Sequence, residues 1–177
     1  MKKQYICNTD FIYCLDMENK TFNISYITLQ ENELSANDAL LVNAAKAATR
    51  SAYAPYSHFH VGAAVVLKNG EIITGNNQEN AAYPSGLCAE RCAVFYANAK
   101  YPEVPVCTIA IAASPKEGMF TEFPITPCGA CRQVLLETEN RYGRPIRLVL
   151  YGTKVCYVIE RVSLLLQFQF DGISLEE

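Results

Sequence analysis

The stretch Asn77-Gln78-Glu79-Asn80-Ala81-Ala82-Tyr83-Pro84-Ser85-Gly86-Leu87-Cys88-Ala89-Glu90-Arg91 is followed by Thr126-Pro127-Cys128-Gly129-Ala130-Cys131-Arg132-Gln133. Together these stretches place three cysteines and one glutamate in a Cys-x-Glu … Pro-Cys-x-x-Cys arrangement. Cys128 and Cys131 have the spacing that puts two sulfurs on one face of the first turn of a helix. Cys88 supplies a third sulfur from a second predicted helix start. We therefore expect the fold to be organised around these two stretches and a metal ion.

The ligand set Cys88, Cys128 and Cys131 favours a catalytic zinc site. Three protein ligands leave the fourth tetrahedral position of zinc open to water. Glu90 is too close to Cys88 along a helix to bind the same ion easily, but it can carry protons to and from that water. Three thiolates give the site a net negative charge, which opposes ionisation of water. Helix N-terminal amides and the adjacent Arg91 are expected to offset this charge by donating hydrogen bonds to the sulfurs.

Two other interpretations of the cysteines stay open. Cys92 lies one helical turn after Cys88, so Cys88, Cys92, Cys128 and Cys131 would also complete a four-thiolate structural zinc site that leaves Glu90 unused. Alternatively, Cys128 and Cys131 could form a redox-active dithiol pair. Such a pair does not need the upstream Cys-x-Glu, and we favour the three-cysteine catalytic site.

Several ordered motifs resemble the cytidine deaminase family, in its small, homotetrameric type that acts on free nucleosides. The matching residues are Pro55–Phe59 with Val61–Ala64, Asn77-x-Glu79-Asn80-Ala81-x-Tyr83-Pro84-x-Gly86, Cys88–Arg91 and Pro127–Val134. This is the thiolate form of the zinc deaminase signature. The resemblance runs from about residue 33 to 170 and implies a three-layer α/β/α fold with a mixed five-stranded sheet.

The activity that the resemblance implies is zinc-dependent hydrolytic deamination. Cytidine and deoxycytidine would become uridine and deoxyuridine with release of ammonia, as in pyrimidine salvage, with one Zn²⁺ per chain and Glu90 as general acid/base. Two alternatives remain. One is another small-molecule zinc deaminase, such as a blasticidin-S deaminase, and the other is a non-catalytic zinc-binding module.

The resemblance also assigns substrate contacts. Phe59 would stack on the pyrimidine, and Asn77 and Glu79 would hydrogen-bond the ribose 3′-hydroxyl. The backbone amide of Ala89 would bind the pyrimidine O2, and the carbonyl of Thr126 would accept a hydrogen bond from the exocyclic amine.

Three further positions concern neighbouring subunits. Ala81 and Tyr83 match positions that, in the resembled family, approach the pocket of an adjacent subunit. Phe170 resembles an aromatic residue that closes a neighbouring site. The chain departs from the family just before it, because Gln167 stands where the family usually has proline. The resemblance implies a homotetramer with shared pockets.

Composition and charge indicate which binding partners and which cellular compartment to expect. A chain of 177 residues suits one domain, and its net charge of −3, with acidic and basic residues interspersed, argues against a nucleic-acid partner. The start Met1-Lys2-Lys3 leads into no apolar signal region, and no apolar run reaches membrane-spanning length. We expect a cytoplasmic protein whose remaining thiols at Cys7, Cys14, Cys107 and Cys156 are buried and inert.

Strand and helix patterns alternate along the chain and indicate an α/β fold with helices on both faces of a mixed sheet. We divide it into a strand-prone N-terminal extension (1–32), a catalytic domain (33–170) and a C-terminal tail (171–177). A hairpin around the polar segment Met17–Lys20 is plausible, and the extension is expected to cover a sheet edge or a subunit contact. The first expected helix begins at Ser35 and includes the alanine-rich run 39–51, and the others are 87–100 and 126–139, the last with Thr126 as N-cap. Expected strands are 60–68, 71–76, 106–113, 146–151 and 155–159.

Overall fold

A computed structural model describes residues 6–8, 11–13, 19–115 and 118–175 of the chain. The described residues form three α-helices, which are α1 (Ala36–Ala48), α2 (Ala89–Lys100) and α3 (Gly129–Tyr142). Their strands are β1 (Ile6–Asn8), β2 (Phe11–Tyr13), β3 (Ile27–Leu29), β4 (His60–Leu67), β5 (Ile72–Asn76), β6 (Val106–Ser114), β7 (Arg147–Leu150) and β8 (Cys156–Ile159).

The main sheet has six strands in the order β3-β8-β7-β6-β4-β5. It is mixed, because β6 and β7 run parallel and the other neighbouring pairs run antiparallel. The prediction of five strands is wrong by one. The additional strand is β3, which comes from the N-terminal extension and pairs with β8, with Thr28 opposite Tyr157. The expectation that this extension covers a sheet edge is therefore confirmed.

The expected hairpin turn at Met17–Lys20 lies partly outside the described residues. β1 and β2 form a separate antiparallel pair that lies before the segment Met17–Lys20. Cys14, Met17 and Glu18 lie outside the described residues. Just after β3, the Glu31 carboxylate accepts hydrogen bonds from Lys46 Nζ and the Tyr151 hydroxyl, both at 2.9 Å. The extension is thus fastened to α1 and to the end of β7.

Helices cover both faces of the sheet, which confirms the three-layer α/β/α architecture. On one face, α1 packs through Leu41, Val42 and Ala45 against small and apolar side chains of the central strands, Ala64, Ala110, Ala112 and Val149. On the other face lie α2 and α3, whose buried residues Ala93, Val94, Leu135 and Leu136 contact Ala63, Val65, Ile109 and Ile111. Burial of these apolar side chains supplies the main stabilising free energy.

The helix starts position the site. Ser35 caps α1, since its hydroxyl accepts a hydrogen bond from the Asp38 amide, and the helix begins at Ala36. α2 and α3 each begin directly after a cysteine, so Cys88 and Cys128 are the N-cap residues. The predicted start of α3 at Thr126 and Pro127 is wrong, because Cys128 is still extended (φ −67°, ψ 167°). Both thiols therefore sit where unpaired helix amides favour negative charge.

Gly75 in β5 allows α2 to lie close to the sheet. A Cβ atom built at Gly75 would come within 2.5 Å of the Ala93 amide nitrogen and 2.6 Å of the Ala89 carbonyl oxygen. Both contacts are with helix backbone, which cannot move without moving the helix that carries Cys88 and Glu90.

Gly75→Ala is expected to destabilise the fold by about 1–3 kcal/mol, the usual cost of overpacking. Urea unfolding of the variant beside wild type measures this free energy. Gly172→Ala is the matched control, since the new Cβ meets no atom within 4 Å, and it should change stability by less than about 0.5 kcal/mol. Equal stabilities of the two variants would contradict the close approach of α2.

Candidate metal centre and substrate pocket

Three thiols converge at the N-termini of α2 and α3. The sulfurs of Cys88, Cys128 and Cys131 all lie within 4.8 Å of one another, and Cys88 Sγ is 3.8 Å from Cys128 Sγ. Cys131 is buried, Cys88 is half-buried and Cys128 is exposed. Three soft thiolates on one tetrahedral face are the ligands that zinc prefers. Among the described side chains, Cys92 lies outside this group, which favours three ligands over four.

The surroundings of the three thiols favour a negative charge on Cys88. The pKa of Cys88 is lowered to about 5, chiefly by the hydrogen bond from Cys131 and then by the hydrogen bonds from Arg91 and Cys128, although burial opposes the shift. The neighbouring thiolate and burial in turn raise the pKa of Cys131. One thiolate is therefore favoured at neutral pH, and a divalent cation would stabilise the others.

Arg91 lies beside the thiols, as expected from its position after Glu90. Its Nη2 atom is 3.6 Å from Cys88 Sγ and 3.4 Å from the Gly86 carbonyl oxygen. The nearby sulfur raises the pKa of the guanidinium. A permanent positive charge at this distance offsets part of the charge of the three thiolates.

Glu90 is buried in the first turn of α2, with 6% of its surface exposed. Burial is the main cause that raises its pKa, and the Cys88 charge raises it further. A raised pKa makes the carboxylate a better proton acceptor than an ordinary surface carboxylate, which suits the role of a general acid/base.

A cavity of about 610 Å³ opens beside the thiols and Glu90. Its lining includes six of the residues predicted to bind substrate, which are Phe59, Asn77, Glu79, Tyr83, Ala89 and Thr126. Two predicted residues, Ala81 and Phe170, do not line it. This volume suits a small organic ligand.

Asn77 and Glu79 organise the cavity wall through hydrogen bonds within the chain. Asn77 Nδ2 donates to the Phe59 carbonyl at 2.9 Å, and Asn77 Oδ1 accepts from the Val61 amide at 2.7 Å. Glu79 accepts hydrogen bonds from the amides of Tyr56 and Ser57 and from the Ser57 hydroxyl, which lower its pKa. A carboxylate offers about four acceptor sites, so capacity remains for a ligand hydroxyl.

The residues assigned to neighbouring subunits are exposed in the single chain. Tyr83 exposes 76% of its surface, and its ring meets that of Tyr56 edge-on with centroids 6.2 Å apart. Ala81 is also exposed. The Phe170 carbonyl accepts a hydrogen bond from Gln133 Nε2 at 2.8 Å, whereas the Phe170 ring stays 59% exposed. These side chains lie at the rim of the pocket or beyond it.

Two organising residues were not assigned from the sequence. Ser57 holds Glu79 and donates from its hydroxyl within the loop before β4, and Arg132 donates to the segment that carries Thr126. Both belong to motifs that carried the resemblance, which was the available signal, but the motif alone does not reveal a hydrogen-bond partner.

Comparison with known proteins agrees with this geometry. Residues 35–142 match the family described as the cytidine and deoxycytidylate deaminase zinc-binding region. A cytidine deaminase of Halalkalibacterium halodurans is 45% identical over 98 residues, 55% of this chain and 69% of the relative. A cytidine deaminase of Mycobacterium tuberculosis is 44% identical over 108 residues, 59% of this chain and 75% of the relative.

Solved structures give the same result. The crystal structure of cytidine deaminase from Burkholderia pseudomallei superposes with a TM-score of 0.64 at 38% identity, covering 77% of this chain and all of that one. The fold and the three-thiol site define a zinc-binding α/β protein of the deaminase class. The chain belongs to the cytidine and deoxycytidylate deaminase family. Its cofactor is one Zn²⁺.

Within the described residues, every helix is too short or too polar to cross a lipid bilayer.

Proposed function

We propose that this chain is a cytidine deaminase, an enzyme that hydrolyses cytidine and deoxycytidine to uridine and deoxyuridine with release of ammonia. The observation that carries the proposal is the convergence of the three thiols, the buried carboxyl of Glu90 and the cavity at one place. Family membership and relatives that are cytidine deaminases support it.

Glu90 moves the protons of the reaction. Cys88, Cys128 and Cys131 would hold the zinc ion, which when bound would supply Lewis-acid activation of a water molecule. As that water adds to C4 of the pyrimidine, the Glu90 carboxylate takes a proton from it and delivers it to the ring N3. Glu90 then transfers the second proton of the water to the amino group, which leaves as ammonia. The raised pKa of Glu90 suits both transfers.

The remaining lining residues orient the nucleoside. Phe59 stacks on the pyrimidine, the Ala89 amide binds O2, and the Thr126 carbonyl accepts from the exocyclic amine. Asn77 and Glu79 bind the ribose 3′-hydroxyl. All five residues line the cavity, which supports these roles. Hydrogen bonds to the 56–61 segment hold Asn77 and Glu79 in place.

The two alternatives are less well supported. A non-catalytic zinc module has no need for a buried carboxyl beside the thiols and an adjacent cavity. Another small-molecule deaminase shares the zinc chemistry, but the relatives found are cytidine deaminases.

Loss of ultraviolet absorbance as cytidine is converted to uridine tests the proposal. Absence of turnover by the zinc-loaded protein would refute it, and turnover of blasticidin S alone would favour the alternative.

Assembly and cellular role are part of the same proposal. We infer a homotetramer in the cytoplasm that serves pyrimidine salvage, with 33–170 as catalytic domain, 1–32 as extension and 171–177 as tail. Tyr83 lines the pocket and is exposed in the single chain, and the Phe170 ring is exposed as well, which supports contacts of both side chains with neighbouring subunits. Light scattering across a dilution series beside the assay tests assembly, and full activity of a monomer would refute shared pockets.

The balanced charge supports free nucleosides over nucleic acid as substrate.

Glu79→Gln is expected to lower kcat/KM for cytidine by roughly 10-fold or more, since one acceptor for the 3′-hydroxyl becomes a donor. Steady-state kinetics with cytidine and 3′-deoxycytidine measure the effect, and the loss should be larger for cytidine. Glu103→Gln, in the loop between α2 and β6, is the control. Equal losses for both substrates would mean that Glu79 only holds its loop.

A further inference from the structure

Arg132 connects residues 126–128, which lead into α3, to the C-terminal segment around Leu165 through one guanidinium group. Its Nε atom donates to the Pro127 carbonyl at 2.8 Å, and its Nη2 atom donates to Thr126 Oγ1 at 3.3 Å. Its Nη1 atom donates to the Leu165 carbonyl at 3.1 Å, in the 3₁₀ helix Val162–Leu165. The planar fork of arginine is suited to several fixed hydrogen bonds at once.

The Pro127 carbonyl needs a donor from outside the helix backbone. The first backbone bond of α3 runs from the Arg132 amide to the Cys128 carbonyl at 2.9 Å, so the helix ladder begins after Pro127. Pro127 is buried, and an unpaired buried carbonyl is costly. The Arg132 side chain satisfies it from the first turn of α3.

This contact lies directly before Cys128, the most exposed of the three ligands. Cys131 is buried within α3, and its position follows from the packing of that helix. Cys128 is exposed and extended at the N-cap, so its sulfur depends on the path of residues 126–128. Arg132 donates hydrogen bonds to the Thr126 hydroxyl and to the Pro127 carbonyl, so it contacts two consecutive residues of that segment.

We propose that Arg132 is a positioning residue that sets the geometry of Cys128 as a metal ligand and of Thr126 as a substrate contact. Its third hydrogen bond, to Leu165, couples that geometry to the C-terminal segment. This inference rests on the proposed function, since it deepens the role of the same site. The competing explanation is that Arg132 only braces α3 against the C-terminal segment and adds stability.

Arg132→Gln separates the two explanations. Zinc affinity, measured by competition with a chromophoric chelator, should fall roughly 10–100-fold, the usual effect of residues that orient metal ligands. Cobalt(II) loading gives a second readout, because the thiolate-to-cobalt charge-transfer bands depend on the position of each sulfur. These bands should shift in the variant, and kcat/KM for cytidine should fall with the affinity.

Three further variants complete the design. Arg132→Lys keeps the charge but not the fork, and its zinc affinity should lie between those of Arg132→Gln and wild type. Gln133→Ala removes the hydrogen bond to the Phe170 carbonyl and should leave the cobalt spectrum unchanged. Arg141→Gln, which loses a bond to the Pro102 carbonyl at the far end of α3, is the matched control and should bind zinc like wild type.

Unchanged zinc affinity and an unchanged cobalt spectrum in Arg132→Gln, with lower thermal stability alone, would overturn the proposal in favour of a brace. If Arg132→Gln does not fold, Arg132→Lys decides, and wild-type affinity in that variant would overturn the proposal. Failure of the proposed function looks different. It would appear as wild-type protein that binds zinc and cobalt but does not deaminate cytidine, with the metal readouts still valid.

Discussion

Glu90→Gln is expected to lower kcat for cytidine by roughly two to four orders of magnitude while the protein stays folded and keeps its zinc. The amide preserves the size of the side chain but cannot carry a proton between water, N3 and the leaving amine. Because Glu90 is buried and its pKa is raised, a neutral amide replaces a group whose charged form is already disfavoured. Thermal stability should therefore not fall.

Single-turnover and steady-state assays with cytidine, beside zinc analysis and thermal unfolding, measure this prediction. Glu71→Gln, at the exposed turn between β4 and β5, is the matched control and should behave as wild type. A kcat for Glu90→Gln within tenfold of wild type would remove Glu90 from the proton transfers. Loss of zinc from this variant would instead make Glu90 a ligand.

Cys88→Ala is expected to abolish both stoichiometric zinc and activity, whereas Cys92→Ser should keep both. The sulfur of Cys88 lies in the three-thiol group, and two ligands hold zinc far more weakly than three. Cys92 is half-buried one turn further along α2, and burial raises the pKa of its thiol, which disfavours the thiolate that a metal needs.

Metal analysis after dialysis, with the deaminase assay on the same samples, compares the two variants directly. They differ by one helical turn on the same helix, so each controls for general damage by the other. Loss of zinc from Cys92→Ser would restore the four-cysteine structural site and leave Glu90 without a catalytic role.

The metal centre could be predicted from the sequence because its ligands and Glu90 lie in two short motifs. Cys128-x-x-Cys131 and Cys88-x-Glu90 fix which groups share a helix turn, and only the meeting of the two turns depends on the fold. The start of α3 was misplaced for a local reason too. Pro127 is favoured at a first helical position, but the extended Cys128 places it one residue before the N-cap.

Other features depend on contacts between distant parts of the chain. The partners of Asn77 and Glu79 lie about twenty residues earlier, in the loop before β4 and at the start of that strand, and neither residue encodes the path of this segment. The bond from Arg132 to Leu165 spans 33 positions. β3 is only three residues long and its pairing with β8 is set by tertiary structure, so the strand-prone character of residues 1–32 does not give the bounds of this strand.

β3 also bears on how this chain behaves when it is shortened. Its pairing occupies one side of β8, and Glu31 fastens it there through Lys46 and Tyr151. Trimming the polypeptide to the region shared with its relatives would strip this cover and leave a row of backbone donors and acceptors open to strands of other molecules. In the untrimmed chain β3 is the outer strand itself, and because it is only three residues long it presents a short edge, which limits edge-to-edge association with other molecules.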